Sequence, residues 1–338
     1  MFFNNAGNEN FSDCGVKIMT LTKLARIANV SVSTASKAFS MSSDISELTR
    51  EEVFAAARAN GCFKKFFNAK YPKYIAAVIC PELNSRYYSD FCFSMQKHFG
   101  EVNFDVCISS YGFSDAAARD RIEYYEKYAD VDVIVLLDSQ TEHLPPHETP
   151  IINISSRNIE NADLNIILDM ESPMDEAVKY FINSNIYDIG FIGEKLTHNK
   201  LLLFKQAILN NKLSLNEETV YISGERFEKG GYDAAQHLLS SGRLPKALIC
   251  AYDDMAFGAV KLFNEKGIHI PSDVKIISFD NISTSAYSVP SLSSVEFLGK
   301  KAAELTVSSV LDILNGGSSE KNHTLSAKLI LRESSEIQ

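Results

Sequence analysis

Apolar positions recur at helical spacing in the first part of the chain and in short runs afterwards. Leu21, Leu24, Ala25 and Ala28 share one face of a helix that Thr20 is placed to cap. Asn29 follows where the chain must turn sharply, and Asn tolerates the positive φ such a turn requires. Ser31 then caps a second helix, Val32 to Phe39. Its inward positions are Ala35, Ala38 and Phe39, and its outward ones are Val32, Ser33, Ser36 and Lys37. A third helix is expected from Ser46 or Thr49 through Val53, Phe54 and Ala57, ending at Asn60-Gly61. Two short helices about a tight turn, the second faced with small polar side chains, have the pattern of a helix-turn-helix whose second helix enters the DNA major groove.

From Tyr74 the period changes. Tyr74–Cys80, Phe104–Ser109, Val131–Leu137 and Pro150–Ile154 read as strands, with helices over Tyr87–Phe99 and Asp115–Tyr128. A second set of strands falls near Asp188–Gly193, Thr219–Ser223, Ala247–Ala251 and Val274–Asp280. Helices near Pro173–Asn183, Lys200–Asn210, Gly231–Ser240 and Asp254–Lys266 separate them, with Asp254 read as a cap. Alternating strands and helices predict an α/β fold of parallel sheets covered on both faces. Two sets predict two lobes with a cleft between them, where ligands bind beyond the carboxyl ends of the strands.

Composition narrows the function classes. A chain of 338 residues with 45% hydrophobic and 22% charged residues can bury a large core and suits two or three domains. The net charge of −10 argues against nucleic acid until its distribution is considered. Ten basic and six acidic residues precede Tyr74, so that segment carries +4 and the remainder −14. A basic head on an acidic body suits a protein whose head alone meets phosphate. Six scattered cysteines without a C-x-x-C predict reduced thiols rather than a metal site or disulfides. No apolar run approaches the ~18 residues of a membrane span, and residues 1–18 lack a signal-peptide pattern. That segment reads as a disordered tail, with Met19 an alternative start, and the expected location is cytoplasmic. No phosphate-binding glycine loop, nucleophile elbow or zinc-protease motif is present, so neither an enzyme nor a cofactor is expected.

The stretch Val30-Ser31, Thr34, Ser36-Lys37, Thr49-Arg50 and Val53 keeps, without a gap, the order and spacing of the lactose-repressor (LacI/GalR) family head. The resemblance implies base reading by Val32, Ser33 and Lys37, where the family often has Arg in place of Lys37. It implies phosphate contacts at Ser31, Thr34 and Ser36, with Thr20 opening the unit on the DNA side. The linker after Gly61 departs from the pattern. Lys64 stands for Pro, Lys65 for Asn, Asn68 for Ala and Tyr71 for Leu. Lys64, Lys65 and Tyr71 still suit phosphate contact beside an aromatic wedge. The family's hinge helix is left open, as is a solvated linker whose aromatics pack on the body.

The resemblance continues through ALICAYDDMAFGAVKLFNEKGIHIPSDVKIISFDN, YSVPSLSSVEFLGKKAAEL and the closing LILRESS. It implies a body like the periplasmic sugar-binding proteins, spanning 74–333. One lobe would cover about 74–154 and 284–314, the other about 155–283 and 318–333, with the chain crossing three times. Ligand positions carried over by the resemblance are Tyr87, Tyr88, Ser155, Lys200, Arg226, Phe227, Tyr252, Asp253 and Asp280. Lys200 replaces the family's Arg, and Tyr252 replaces its Asn. The implied function is a homodimeric repressor on a pseudo-palindromic operator, controlled by a small sugar-like effector. Control by a corepressor or a protein partner, and a sugar receptor without a DNA role, are the alternatives.

Overall fold

The computed structural model describes residues 19–66, 74–317 and 320–336. The chain divides into two units, Met1–Tyr74 and Ile75–Gln338. In the first, helices α1 (Leu21–Ile27), α2 (Val32–Phe39) and α3 (Glu47–Ala59) are followed by a single turn, α4 (Phe63–Phe66). Each of the first three starts on a hydroxyl cap, from Thr20, Ser31 and Ser46 in turn. Asn29 has φ +54°, as the turn between α1 and α2 demands. Leu24, Ala35, Ala38, Phe39, Val53, Phe54 and Ala57 form the buried core. Phe63 and Phe66 of α4 pack against it, the former edge-on to Phe54 at 5.0 Å. Lys64 and Lys65 lie on α4, whereas Tyr71, the rest of the expected hinge and residues 1–18 lie outside the described residues.

The second unit begins with β1 (Tyr74–Cys80), α5 (Arg86–Glu101), β2 (Phe104–Ser110), α6 (Asp115–Lys127), β3 (Val133–Leu137), β4 (Ile151–Ser155) and β5 (Leu164–Asp169). Then come α7 (Glu171–Asn183), β6 (Ile189–Glu194), α8 (His198–Asn210), β7 (Val220–Ser223), α9 (Phe227–Ser240), β8 (Ala247–Cys250), α10 (Asp253–Glu265) and β9 (Lys275–Phe279). It closes with β10 (Ser293–Glu296), α11 (Gly299–Leu314), β11 (Asn322–Ser326) and β12 (Lys328–Ile330). Among the described residues the strands form two six-stranded sheets, ordered β11-β5-β4-β3-β1-β2 and β12-β10-β9-β8-β6-β7. Central strands such as β3 and β4 are buried along their whole length, as the apolar runs require.

The chain passes between the sheets three times, but later than the expected boundaries. The first passage follows β5, not Ile154, because the overlooked strand Leu164–Asp169 pairs in parallel with β4. The Asn153 side chain also reaches that of Asn165 on β5 at 2.8 Å. The second passage follows β10, whose parallel pairing with β9 keeps it in the second sheet. The third lies between β11 and β12. Among the described residues no helix is long and apolar enough to cross a membrane.

In the second lobe α9 and α10 pack backbone against backbone. A Cβ on Gly231 would lie 1.8 Å from the Met255 carbonyl, and one on Gly258 would lie 1.9 Å from that of Glu228. No side-chain rotation relieves a clash with backbone. Gly231→Ala or Gly258→Ala is therefore expected to destabilise the body by about 3 kcal/mol. An unchanged urea-unfolding midpoint in both variants would refute this packing.

Candidate functional site

The head offers a polar surface built on caps. Ser31 Oγ accepts from Thr34 N at 2.9 Å and pairs with the Thr34 hydroxyl at 2.8 Å. This fixes the start of α2, the end that meets base edges in helix-turn-helix recognition. Val32, Ser33 and Ser36 are exposed, Val32 to 44%. Lys37 is half-buried and ion-paired to Asp44 at 3.0 Å, and this lysine holds the Asp44 carboxyl below its ordinary range. Arg50 of the Thr-Arg motif is buried, bonded to Glu47 and, at 2.7 Å, to the Ser42 carbonyl. It ties the loop after α2 to α3, a role the sequence reading did not assign.

In the body, a cavity of about 340 Å³ opens at the carboxyl ends of the strands. Eight of the nine residues carried over by resemblance line it: Tyr87, Tyr88, Ser155, Lys200, Arg226, Phe227, Tyr252 and Asp280. Lys200 donates to the Ala251 carbonyl at 2.7 Å and to Asp280 at 3.2 Å. Its ammonium also sits over the rings of Phe279 and Phe297. Burial pushes the Asp280 carboxyl up, against the pull of Lys200. The Tyr252 hydroxyl accepts from Phe227 N at 2.9 Å, holding a residue whose φ is +55°.

The ninth residue is a correction. Asp253 does not line the cavity. It is 1% exposed, and its carboxylate accepts from the hydroxyls of Ser278, Ser285 and Ser294 and from Ile282 N. Four donors leave it no capacity for a ligand. It instead anchors the segment after β9 that carries Asp280. Tyr252, not Asp254, occupies the cap position of α10, and Asp254 lies within the first helical turn.

Glu82, Asp138 and Glu194 also line the cavity and were missed. Their signal was available, since each stands at or just past the end of an apolar run: VICPE, VIVLLD and IGFIGE. Asp138 accepts from the Tyr88 hydroxyl, and burial pushes its carboxyl up, opposed by that bond and by Lys200. Burial and the Asp138 charge push both the Tyr87 and Tyr88 hydroxyls up. These tyrosines stay neutral, and the Tyr88 hydroxyl donates to Asp138. Glu82 accepts both terminal nitrogens of Arg226, at 2.6 and 2.8 Å, while the Arg226 Nε faces Glu194 at 3.4 Å. Carboxylates, hydroxyls and rings around one pocket can bind a polyhydroxylated molecule with apolar faces.

Comparison with known proteins finds matches in both units of the chain. The description "Bacterial regulatory proteins, lacI family" matches residues 20–61, and "Periplasmic binding protein-like domain" matches residues 178–335. The HTH-type transcriptional regulator AscG of Escherichia coli (strain K12) is 26% identical over 335 residues, covering 93% of this chain and 98% of that one. Among solved structures, the lac repressor dimer bound to operator and the anti-inducer ONPF has a TM-score of 0.70 at 18% identity. The match covers 94% of this chain and 99% of that one. A complex of the transcriptional regulator CelR with cellobiose has a TM-score of 0.65 at 20% identity, covering 94% and 99%.

Asp253 and Asp254 predict a pH dependence. Burial first, then the Asp280 charge, raises Asp253 to about 6. Burial first, then Glu228, raises Asp254 to about 7 against the pull of Arg86. Their ordinary value is 3.8. A raised folded value means the folded state binds the proton more tightly. The associated stability is full below the ordinary value and is lost as pH rises through about 6 and then about 7. The melting temperature should rise as pH falls from about 8 to 6, and Asp254→Asn should flatten that rise. Melts of equal slope in the two proteins would refute the assignment.

Proposed function

We propose that the chain, with its LacI-family head and periplasmic-binding-protein-like body, is a repressor of carbohydrate use whose grip on DNA is set by a sugar-like effector. The cavity carries this reading: Asp138, Asp280, Tyr87 and Tyr88 present acceptors, hydroxyls and ring faces at the carboxyl ends of strands from both sheets. Polyols are recognised by this combination, with carboxylates accepting from hydroxyls and rings covering C–H faces. The CelR–cellobiose complex, a relative in fold, supports it. We place the protein in the cytoplasm, as a homodimer on a pseudo-palindromic operator.

In this mechanism the effector binds one arrangement of the two lobes more tightly than the other. It shifts their equilibrium by that difference in affinity and no more. The shift alters how the paired heads meet the operator. An inducer is proposed rather than a corepressor. Titration of mono- and disaccharides into the operator-bound protein should release DNA with at least one of them. If none changes operator affinity, the effector reading fails.

At the head, Val32 and Ser33 are proposed to read bases, and Lys37 to reach a base edge or a phosphate once its Asp44 pairing is exchanged. Ser31, Thr34 and Ser36 are assigned to phosphates, with Thr20 at the opening of the unit. Replacing Val32 with Ala should change base preference at one operator position by about 1–3 kcal/mol and leave the salt dependence intact. Lys37→Ala should weaken binding and reduce the salt slope by about 1 if it neutralises a phosphate. Anisotropy titrations on variant operators across a salt series separate the two. A Val32→Ala protein with unaltered base preference would remove that residue from the reading surface.

A further inference from the structure

Arg226 departs from what a ligand-facing arginine needs. It follows β7 in the second lobe, and its guanidinium reaches Glu82, which follows β1 in the first. The contact is a fork on a fork, with both terminal nitrogens on both carboxylate oxygens at 2.6 and 2.8 Å. The third edge nitrogen, Nε, faces Glu194 at 3.4 Å. Rings approach the guanidinium from both lobes, Phe113 at 5.5 Å and Phe227 at 4.5 Å from their centroids. The hydrogen bond to Glu82 first, and then the Glu82 and Glu194 charges, hold Arg226 firmly protonated against the effect of its burial.

We propose that Glu82 and Arg226 form a latch across the cleft and that, by occupying the cavity's arginine, the latch restricts the effector to uncharged polyhydroxy compounds. An anionic ligand needs a cation that is not already paired. Lys200 is held by Asp280 and the Ala251 carbonyl, and Arg226 by Glu82 and Glu194. Asp138 adds a further carboxylate, bonded to the Tyr88 hydroxyl. These six groups place four carboxylates against two cations in the less exposed part of the pocket, while Lys195 and His198, which also line it, are exposed to solvent. A phosphate or carboxylate on the ligand would lose its water and meet a negative surroundings with no free guanidinium. A neutral polyol meets acceptors, neutral phenols and ring faces, and needs no charge compensation. The latch also makes lobe closure depend on a bond that a competing anion would have to break.

This inference rests on the sugar-effector reading, and the test separates the two. Intact protein is titrated calorimetrically with glucose, galactose, mannose and cellobiose, and with glucose 6-phosphate, galactose 6-phosphate, mannose 6-phosphate, glucuronate and galacturonate. The wild-type protein is expected to bind a neutral sugar at least tenfold more tightly than any of these anions. Glu82→Gln removes one negative charge and one side of the fork, and should narrow that ratio at least tenfold. Arg226→Lys breaks the fork while keeping the charge, and should narrow it in the same direction if Glu82→Gln does not fold. A wild-type protein that binds a sugar phosphate or uronate as tightly as the neutral sugars would overturn the inference and leave the sugar-effector reading standing. So would an unchanged ratio in the folded variants. Binding of no member of either group would overturn both.

Discussion

A parallel strand buried on both faces can offer polar chemistry only at its ends, and this constraint organises the body. The strands YIAAVIC, VIVLL, IGFIGE and KIISF are apolar through most of their buried lengths, with Ser278 and the terminal Glu194 as the buried polar positions. Their acids come at the exit: Glu82, Asp138, Glu194 and Asp280. Two sheets whose strand exits line one cavity concentrate four carboxylates there; Lys200 is ion-paired to Asp280, and Arg226 to Glu82 and Glu194. The cavity follows from the packing rule as much as from any individual contact.

Holding those acids in place requires a less ordinary backbone. Asp138 at φ +49°, Phe227 at +55° and Asp280 at +100° all adopt conformations that L-residues avoid. Each is over-determined by neighbours. The Tyr111 hydroxyl donates to the carbonyls of Leu137 and Asp138. The Tyr252 hydroxyl receives the Phe227 N–H. The Asp253 carboxylate gathers three serine hydroxyls and the Ile282 N–H just beyond Asp280. Strained residues that point into the cavity are therefore supported by residues that do not.

The head works on a smaller scale by the same logic. Its hydroxyls do two things at once: Ser31 and Ser46 satisfy helix N–H groups and pair with Thr34 and Thr49. Arg50 is buried to hold the loop at Ser42. With the frame carried by caps and one arginine, Val32, Ser33 and Ser36 remain outward and available.

Local signals alone specified the three head helices, their caps, the positive φ at Asn29 and most strands and helices of the body, because period, capping and turn chemistry act within a few residues. Eight of the nine ligand positions that came from the family resemblance lie in the cavity, whereas Glu82, Asp138 and Glu194 were not among them. Longer-range facts needed the tertiary structure. Strand pairing alone decided that Leu164–Asp169 extends the first sheet and that Ser293–Glu296 belongs to the second. Asp253 is a ligand position by family resemblance, yet three serines distant in sequence enclose it. The meeting of Glu82 with Arg226 joins residues 144 apart, and no periodicity encodes it. A sequence shows which residues sit at strand exits, but which exits face one another depends on how the sheets exchange the chain.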